Sequence, residues 1–416
     1  DEPLLAQALL QIINLEKNNL KEFLKEIVDS DDSNDNYLLI YAKILFIENK
    51  KEEASKYIKK SADMGNIEAM IDFADMLTFG RGIPIDKQEG AKYWKMAADL
   101  GDIGAMNNYA YMMKTGDGIP VDQVESIKYF KKAMEKGSVH SMYNYGFMIY
   151  KGEGVDQNKE EGKKILKKAA DEGDENQKLG YADILYFEDL NEEALKYYKE
   201  AADLGSVDAM YRYAVMKRTG CGTPADNEEA IKYYKMAIEK NHSPSMYDYA
   251  NMIRFGDAID DYDEMVRLIK MVIELNDTDA MNLYGYLLCI GFGVFRDDKQ
   301  GLYYIKKAID LGNKEQIDFY LHMIRKNDGI PDNKEEALEY YELFAELGNE
   351  NDIFKYALEL YKGDVIPENK IEAAKYFKKA ADLGCLKAMN NYAVMARDGD
   401  GITENKEEAE KYFGKA

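Results

Sequence analysis

The sequence has few of the residues from which disulfide frameworks and metal or hydrolytic centres are built. Only three cysteines, Cys221, Cys289 and Cys385, and three histidines occur among 416 residues. An odd number of widely spaced cysteines gives no disulfide framework and favours a reducing compartment, so we expect a cytoplasmic protein. The histidines lie far apart, and neither an H-E-x-x-H nor a C-x-x-C motif occurs. We therefore expect no enzymatic activity, no bound metal and no cofactor.

Long apolar runs are also missing, and basic residues are outnumbered. No run approaches the roughly 18 uncharged apolar residues of a membrane span, and the mean hydropathy of −0.52 is typical of a soluble protein. The 55 basic and 78 acidic residues leave a net charge of −23, which repels nucleic acids and anionic lipids and predicts neither as a partner. Because the chain opens at Asp1, we expect a processed or trimmed product, and the ER lumen stays an alternative compartment.

Self-similarity is what the sequence has in abundance. The stretch YWKMAADLG, ending at Gly101, returns as YFKKAMEKG, YYKEAADLG and YFKKAADLG, mostly with a period of 36 residues. An N-terminal helical cap is predicted over 1–33, and an array of about eleven units over 34–416. The last unit stops before its closing glycine, so we expect the array to continue or to rest on another chain. The predicted units are 34–65, 66–101, 102–137, 138–173, 174–205, 206–241, 242–276, 277–312, 313–348, 349–384 and 385–416.

Each unit is predicted to be a pair of antiparallel helices. In the first helix, Met106, Tyr109, Ala110 and Met113 have the spacing of one apolar face, and an aromatic residue occupies the Tyr109 position in every unit. The second helix opens on an acid or amide followed three residues later by Glu or Gln, which predicts reciprocal capping boxes. These pairs are Asp86/Glu89, Asp122/Glu125, Asn158/Glu161, Asp226/Glu229, Asp261/Glu264, Asp297/Gln300, Asn333/Glu336, Asn369/Glu372 and Asn405/Glu408.

Glycines mark both turns of the unit. Units close on Gly or on Asn, as at Gly101, Gly173 and Asn241, which predicts a left-handed end of the second helix. Between the helices lies a G-x-G segment that could be mistaken for a phosphate-binding loop. It occurs six times, follows no predicted strand and lacks the Lys-Ser/Thr of a P-loop, so we interpret it as a turn.

The combined pattern A-M-x-x-Y-A, G-x-G-[IV]-P and D-x-x-E-A-x-K-Y-[YF]-K-x-A-A-x-x-G resembles the SEL-one-like repeat (SLR) family, relatives of tetratricopeptide repeats. The resemblance covers about residues 34–416. It implies an all-α fold, a right-handed α-α superhelix or solenoid of helix-turn-helix repeats, and a role as adaptor or scaffold for other proteins. Members of the family include adaptors of ER-associated degradation.

A stripe opposite the apolar face of the first helices is the candidate binding surface. In tetratricopeptide-like solenoids the first helices line the concave face, where amides can bond a peptide backbone and aromatic rings can add apolar contact. The alternative is that these side chains pack on the adjacent repeat. The predicted partner-binding residues are Asn108, Tyr111, Tyr143, Asn144, Phe147, Tyr211, Arg212, Tyr247 and Asp248.

From these patterns we expect a non-catalytic scaffold that binds proteins or extended peptides on the concave face. One alternative is an ER-lumenal quality-control adaptor, for which an upstream signal peptide or a glycan on Asn241 would decide. Another is an enzyme-activating subunit with a site in an irregular repeat, for which a cleft of clustered titratable groups would be required. The oligomeric state is left open.

Overall fold

The structure, a computed structural model, describes residues 19–29, 34–313, 316–325 and 334–416. Within these ranges every regular element is a helix, which confirms the all-α repeat fold expected from the sequence. Of the predicted N-terminal cap, residues 1–18 and 30–33 lie outside the described ranges. The chain divides into two compact units, unit 1 (Asp1–Ala225) and unit 2 (Asp226–Ala416).

Unit 1 is a row of helical hairpins. The even-numbered helices are the first helices of the repeats, and the odd-numbered helices from α3 onward are the second helices. They are α1 (19–28), α2 (Asp35–Ile47), α3 (Lys51–Asp63), α4 (Ile67–Phe79), α5 (Lys87–Asp99), α6 (Ile103–Thr115), α7 (Gln123–Glu135), α8 (Val139–Lys151), α9 (Lys159–Glu172), α10 (Glu175–Phe187), α11 (Asn191–Asp203) and α12 (Val207–Thr219).

Unit 2 has the same alternation of first and second helices and begins with a second helix. Its helices are α13 (Asn227–Ile238), α14 (Ser243–Phe255), α15 (Tyr262–Glu274), α16 (Thr278–Ile290), α17 (Asp298–Asp310), α18 (Ile317–Arg325), α19 (Lys334–Leu347), α20 (Glu350–Lys362), α21 (Lys370–Asp382), α22 (Leu386–Asp398) and α23 (Lys406–Phe413).

Of the two hydrogen bonds predicted at the start of each second helix, the structure shows one. The Asp86 carboxylate accepts a bond from the Glu89 backbone N–H at 2.9 Å, and the same bond forms in the other described pairs. The predicted return bond from the Glu89 side chain is wrong, because the Asp86 N–H already donates to the Leu77 carbonyl of the preceding helix at 2.9 Å. The Glu89 carboxylate instead accepts from Lys59 of the preceding repeat at 2.7 Å. The pair Asn333/Glu336 lies outside the described side chains.

Among the closing residues whose φ the structure describes, the turn between repeats is left-handed as the sequence predicts, except at Gly173. Gly101 has φ of 101°, and Asn241 and Asn276 have φ of 62° and 61°. Gly173 has φ of −95° and an extended backbone, so the prediction of a left-handed residue there is wrong. Glycine is needed at this position for a different reason, because a Cβ would lie 2.5 Å from the Ala169 carbonyl oxygen.

Edge-to-face aromatic pairs between the two helices of a repeat form the centre of most described hairpins, while Ile165 and Ile269 replace the second ring in α8–α9 and α14–α15. Tyr109 meets Tyr129 with ring centroids 5.2 Å apart at 87°, and Tyr181 meets Tyr197 at 5.0 Å and 85°. Ala110, beside Tyr109, is fully buried, so the small residue lets the helices approach where the ring covers them. Equivalent pairs recur in unit 2 at Tyr284/Tyr304, Tyr320/Tyr340, Tyr356/Tyr376 and Tyr392/Tyr412.

Candidate partner-binding surface

The six G-x-G segments are turns between the two helices of a repeat, as the sequence predicts. Gly116 ends α6 with φ of 77°, and Gly118 follows with φ of 82°. A Cβ on Gly118 would lie 2.3 Å from the Lys87 Cβ at the start of α5 in the preceding repeat. The second glycine therefore allows the turn to pack on its neighbour, and no phosphate is needed to explain it.

The second helices are joined by a ladder of partly buried hydrogen bonds, here called the second-helix seam. The Tyr93 hydroxyl donates to the Asp63 carboxylate of the preceding repeat at 2.6 Å, and Tyr129 donates to Asp99 at the same distance. Burial is the main cause that raises the pKa of Tyr93, and the bond to Asp63 adds to it. The same bond links Tyr197 to Asp171, Tyr340 to Asp310 and Tyr412 to Asp382. These polar groups are thus committed to stacking one repeat on the next.

The first helices of unit 1 present a different set of side chains. We define the first-helix surface as Asn108 and Tyr111 on α6, Tyr143, Asn144 and Phe147 on α8, and Tyr211 and Arg212 on α12. Tyr111 is 53% exposed, and the exposed Asn108 amide is joined only to its neighbour Asn107, at 3.5 Å. The α6 part of this surface is therefore open to solvent.

An aromatic and basic cluster occupies the α8 part of the first-helix surface. The Tyr143 and Phe147 rings stack with centroids 6.3 Å apart. The ammonium groups of Lys114 and Lys151 lie 4.7 and 5.7 Å from the Phe147 ring centre, within cation–π range. Asn144 donates to the His140 carbonyl of its own helix at 3.2 Å, which leaves its amide oxygen as an acceptor.

Tyr143 also packs on the next repeat, as the alternative interpretation expects. Gly180 on α10, which aligns with Asn144, faces the Tyr143 ring, and a Cβ there would lie 2.1 Å from the Tyr143 hydroxyl oxygen. The ring of one first helix thus covers the place where the next one has no side chain. Burial, together with the nearby Asp183 carboxylate, raises the pKa of Tyr143 to about 12. Tyr143 is consequently both a packing residue and a wall of the surface.

On α12 the exposed Arg212 is held by an acidic partner. Its guanidinium lies 3.3 Å from the Asp183 carboxylate of α10, which also accepts a bond from the Tyr198 hydroxyl at 2.7 Å. The preceding residue, Tyr211, is half-buried. These contacts connect α10 to α12, while a bond of 3.0 Å from the Ser141 hydroxyl to Asn107 connects α8 to α6. The first helices of unit 1 are therefore neighbours in one row.

The remaining two predicted residues belong to unit 2. Tyr247 and Asp248 lie on α14, and both are half-buried. Burial is the largest cause that raises the pKa of Tyr247, and the Asp248 carboxylate accepts a bond from the Tyr234 hydroxyl at 3.3 Å. Both residues are thus packed within the hairpins of their own unit.

Sequence reasoning missed Lys114, Lys151 and Asp183 as members of the row. One signal was available: α6 and α8 contain no acidic residue in a chain whose net charge is −23. In such an acidic chain, a helix that contains a lysine and no Asp or Glu is unusual. The contact of Lys114 with Phe147 depends on how α6 and α8 pack, which periodicity does not show. Lys151, in contrast, lies four residues after Phe147 on α8, where helical spacing brings the two together.

The described ranges offer no site for a metal ion, because they contain no suitable group of three or more His, Cys, Asp or Glu side chains. No helix in these ranges is long and apolar enough to cross a membrane. All three cysteines are unpaired, and burial raises the pKa of the Cys289 thiol to about 11. That thiol therefore stays protonated at neutral pH.

Comparison with known proteins agrees with this geometry. The chain is similar over 95% of its length, and over 86% of the other chain, to a protective antigen of uropathogenic Escherichia coli strains that displays an SLR fold, with a TM-score of 0.62 and 20% identity. A Sel1 repeat protein from Oxalobacter formigenes is 22% identical over 66% of this chain and 99% of its own, with a TM-score of 0.42. No curated protein sequence matches.

The profile of the Sel1 repeat matches nine segments that together span well over half of the chain. The matched segments are 67–102, 103–138, 139–174, 186–206, 207–242, 278–313, 320–349, 353–385 and 386–416. Most of these segments are about 36 residues long, the period seen in the sequence. The chain belongs to the Sel1 repeat family.

Proposed function

We propose that this protein is a non-catalytic scaffold whose first-helix surface binds an extended segment of a partner protein. Sel1 repeat proteins generally mediate protein–protein interactions, which supports the general part of the proposal. The specific part of the proposal, that binding occurs on the first-helix surface, rests on one observation. The first helices leave amides and aromatic rings accessible while the second helices bury theirs in the second-helix seam.

The chemistry of this surface suits a peptide backbone. Asn108 carries an exposed amide, and the Asn144 amide oxygen is free to accept, so they can pair with backbone N–H and C=O groups of an extended chain. Tyr111 and Phe147 offer large rings that lose little conformational entropy on binding. A segment crossing α6, α8, α10 and α12 would meet both polar groups and aromatic rings along its length.

In unit 2 we propose Tyr247 and Asp248 as a separate contact point of the same kind. Each already has a packing role, so its contribution to binding is expected to be smaller than that of Asn108 or Tyr111. The unit 2 residues should be tested by themselves.

The proposal is tested by selecting peptides from a random display library on the full chain and measuring Kd by fluorescence anisotropy. The triple substitution Asn108→Ala, Asn144→Ala and Arg212→Ala is expected to weaken a selected peptide at least about tenfold, because each lost hydrogen bond costs about 0.5–1.5 kcal/mol. A matched control removes three exposed side chains of second helices, Lys131→Ala, Lys164→Ala and Lys196→Ala. Equal affinity of the first triple variant and wild type would contradict the proposal.

A further inference from the structure

A cavity of about 380 Å³ opens between α2, α3 and α4 of unit 1, on different helices from those of the first-helix surface. This volume is within the range of pockets that hold small ligands or single side chains. One half of its wall is apolar, and the other half carries two carboxylates and two basic groups. The lining residues are Phe46, Ile47, Ile58 and Met76, with Lys43, Asp72, Asp75 and Arg81.

Three of the four charged groups are neutralised by a partner. The Lys43 ammonium pairs with the Glu68 carboxylate, and the Arg81 guanidinium pairs with Asp75. Asp72 is the exception, because no hydrogen bond or ion pair to its carboxylate is found among the residues that the structure describes. Asp72 is thus the lining residue whose charge is not met by a bonded partner among the described residues.

The environment of Asp72 disfavours its ionised form. Burial is the largest cause that raises the pKa of Asp72; the Lys43 charge works against this shift, while Glu68 and Asp75 add to it. A half-buried carboxylate beside apolar walls costs free energy unless a cation or a donor satisfies it. Lys43 does not do so directly, because its ammonium group is bonded to Glu68.

We propose that this cavity binds the side chain of a lysine or arginine supplied by a partner protein. The aliphatic stem would lie against Phe46, Ile47 and Met76, and the cationic head would pair with the Asp72 carboxylate. Long basic side chains bury their stems on apolar surface while the charged end seeks a counter-ion, so both halves of the wall are used. This inference stands on the cavity alone and does not depend on the proposed role of the first-helix surface.

The occupant is decided by charge. An acidic side chain would be repelled by Asp72 and would have to compete for Lys43 and Arg81, which are already paired with carboxylates. A purely apolar one would leave the Asp72 carboxylate unsatisfied in a drier site. A cationic head with an apolar stem satisfies both constraints. Arginine and lysine share this chemistry, and the test below distinguishes it from simple apolar filling.

Met76 supplies a site-specific reporter, since its side chain lines the cavity. The full chain, labelled with ¹³C-methyl methionine, is titrated with N-acetyl-lysine methylamide and with N-acetyl-norleucine methylamide, which has the same stem without the ammonium group. The Met76 signal is assigned by Met76→Leu. We expect the lysine probe to move that signal saturably and to bind at least about tenfold tighter than the norleucine probe. The signal of Met216, on α12, should not move.

Asp72→Asn is the decisive variant, because it removes the charge and keeps the shape. It should weaken the lysine probe about tenfold, to the level of the norleucine probe, while Asp156→Asn at an exposed position of another repeat leaves binding unchanged. Ile47→Ala, at a side chain that is 73% exposed and so dispensable for folding, should weaken both probes by a smaller factor. The inference is overturned if norleucine binds as well as lysine, if Asp72→Asn binds lysine like wild type, or if the Met76 signal does not respond.

Discussion

Two tyrosines of one repeat in unit 1, Tyr111 and Tyr129, differ in their exposure to solvent and in their hydrogen bonding. Tyr129, on the second helix, is 5% exposed and donates to Asp99 of the preceding repeat at 2.6 Å. Tyr111, on the first helix, is 53% exposed, and its hydroxyl makes no bond to a described residue. The difference separates two roles: the second-helix seam holds neighbouring repeats together, and the first-helix surface leaves side chains exposed, which is why we propose it as the binding face.

The contrast between buried and exposed aromatic rings is tested most severely by a substitution in the hydrophobic core, which should cause the largest loss of stability. Phe130→Ala removes a side chain that is 0% exposed, next to Tyr129 on α7, and is expected to lower the free energy of unfolding of unit 1 by about 3–5 kcal/mol. Urea unfolding followed by circular dichroism measures this. Phe187→Ala is the matched control, because that ring is 92% exposed, and it should change stability by less than about 0.5 kcal/mol. Similar losses for the two variants would contradict the assignment of the core.

A smaller loss is expected when the turn between the helices can no longer approach its neighbour. Gly118→Ala introduces a Cβ that would lie 2.3 Å from the Lys87 Cβ at a residue with φ of 82°, and should cost about 2–4 kcal/mol. Gly137→Ala adds the same methyl group at φ of 96°, where nothing lies within 4 Å, so backbone strain of about 1–2 kcal/mol remains. Equal destabilisation of the two variants would show that packing on the preceding repeat contributes nothing.

The second-helix seam itself gives a prediction that depends on pH. Tyr129→Phe should cost about 1 kcal/mol at pH 7, a value that allows for solvent screening at the half-exposed Asp99. Burial alone would raise the pKa of Asp99, but the bonds from Lys95 and Tyr129 outweigh it, so the net shift is downward. A lowered folded-state pKa adds stability above the ordinary carboxyl pKa of about 4, and this stability is lost as the pH falls through the folded value.

The difference in stability between wild type and Tyr129→Phe should therefore shrink as the pH is lowered from 7 to about 3. Urea midpoints of both proteins over this range measure it. A difference that grows on acidification would refute the role of the Tyr129–Asp99 bond. Tyr111→Phe, on the first helix, is the control and should show no pH dependence of its own.

The smallest effect on stability is expected at the first-helix surface. Tyr111→Ala should change the free energy of unfolding by less than about 0.5 kcal/mol, because the side chain is exposed, while it weakens a selected peptide. Stability is measured by urea unfolding and binding by fluorescence anisotropy. A large loss of stability without loss of binding would reverse the roles assigned to the two rows of helices.

Much of the fold follows from local signals, since helix caps, turns and apolar periodicity act over a few residues. The Asp86 cap, the Gly116 turn and the buried Met106 and Met113 side chains are all predicted correctly. The second-helix seam is not predicted, because Tyr129 and Asp99 are 30 residues apart and their bond depends on the register between repeats. The return bond to the caps was predicted wrongly for the same reason, as the competing carbonyl comes from another helix.

The candidate surface is predictable only in outline. Periodicity places Asn108 and Tyr111 opposite the apolar face, and the structure finds both exposed. It does not foresee that Tyr143 would cover Gly180, or that Lys114 of α6 would approach Phe147 of α8. These two contacts arise between first helices of adjacent repeats. Their geometry depends on how far apart the helices sit, which no single repeat encodes.

Site-specific photo-crosslinking tests the central claim most directly. The photoreactive residue p-benzoylphenylalanine is placed at position 111 on the first-helix surface, or at position 131 on the exposed side of a second helix, and a selected peptide is added. The account predicts a crosslinked peptide from position 111 and none from position 131. Crosslinking from position 131 with none from position 111 would show that partners bind the other row of helices.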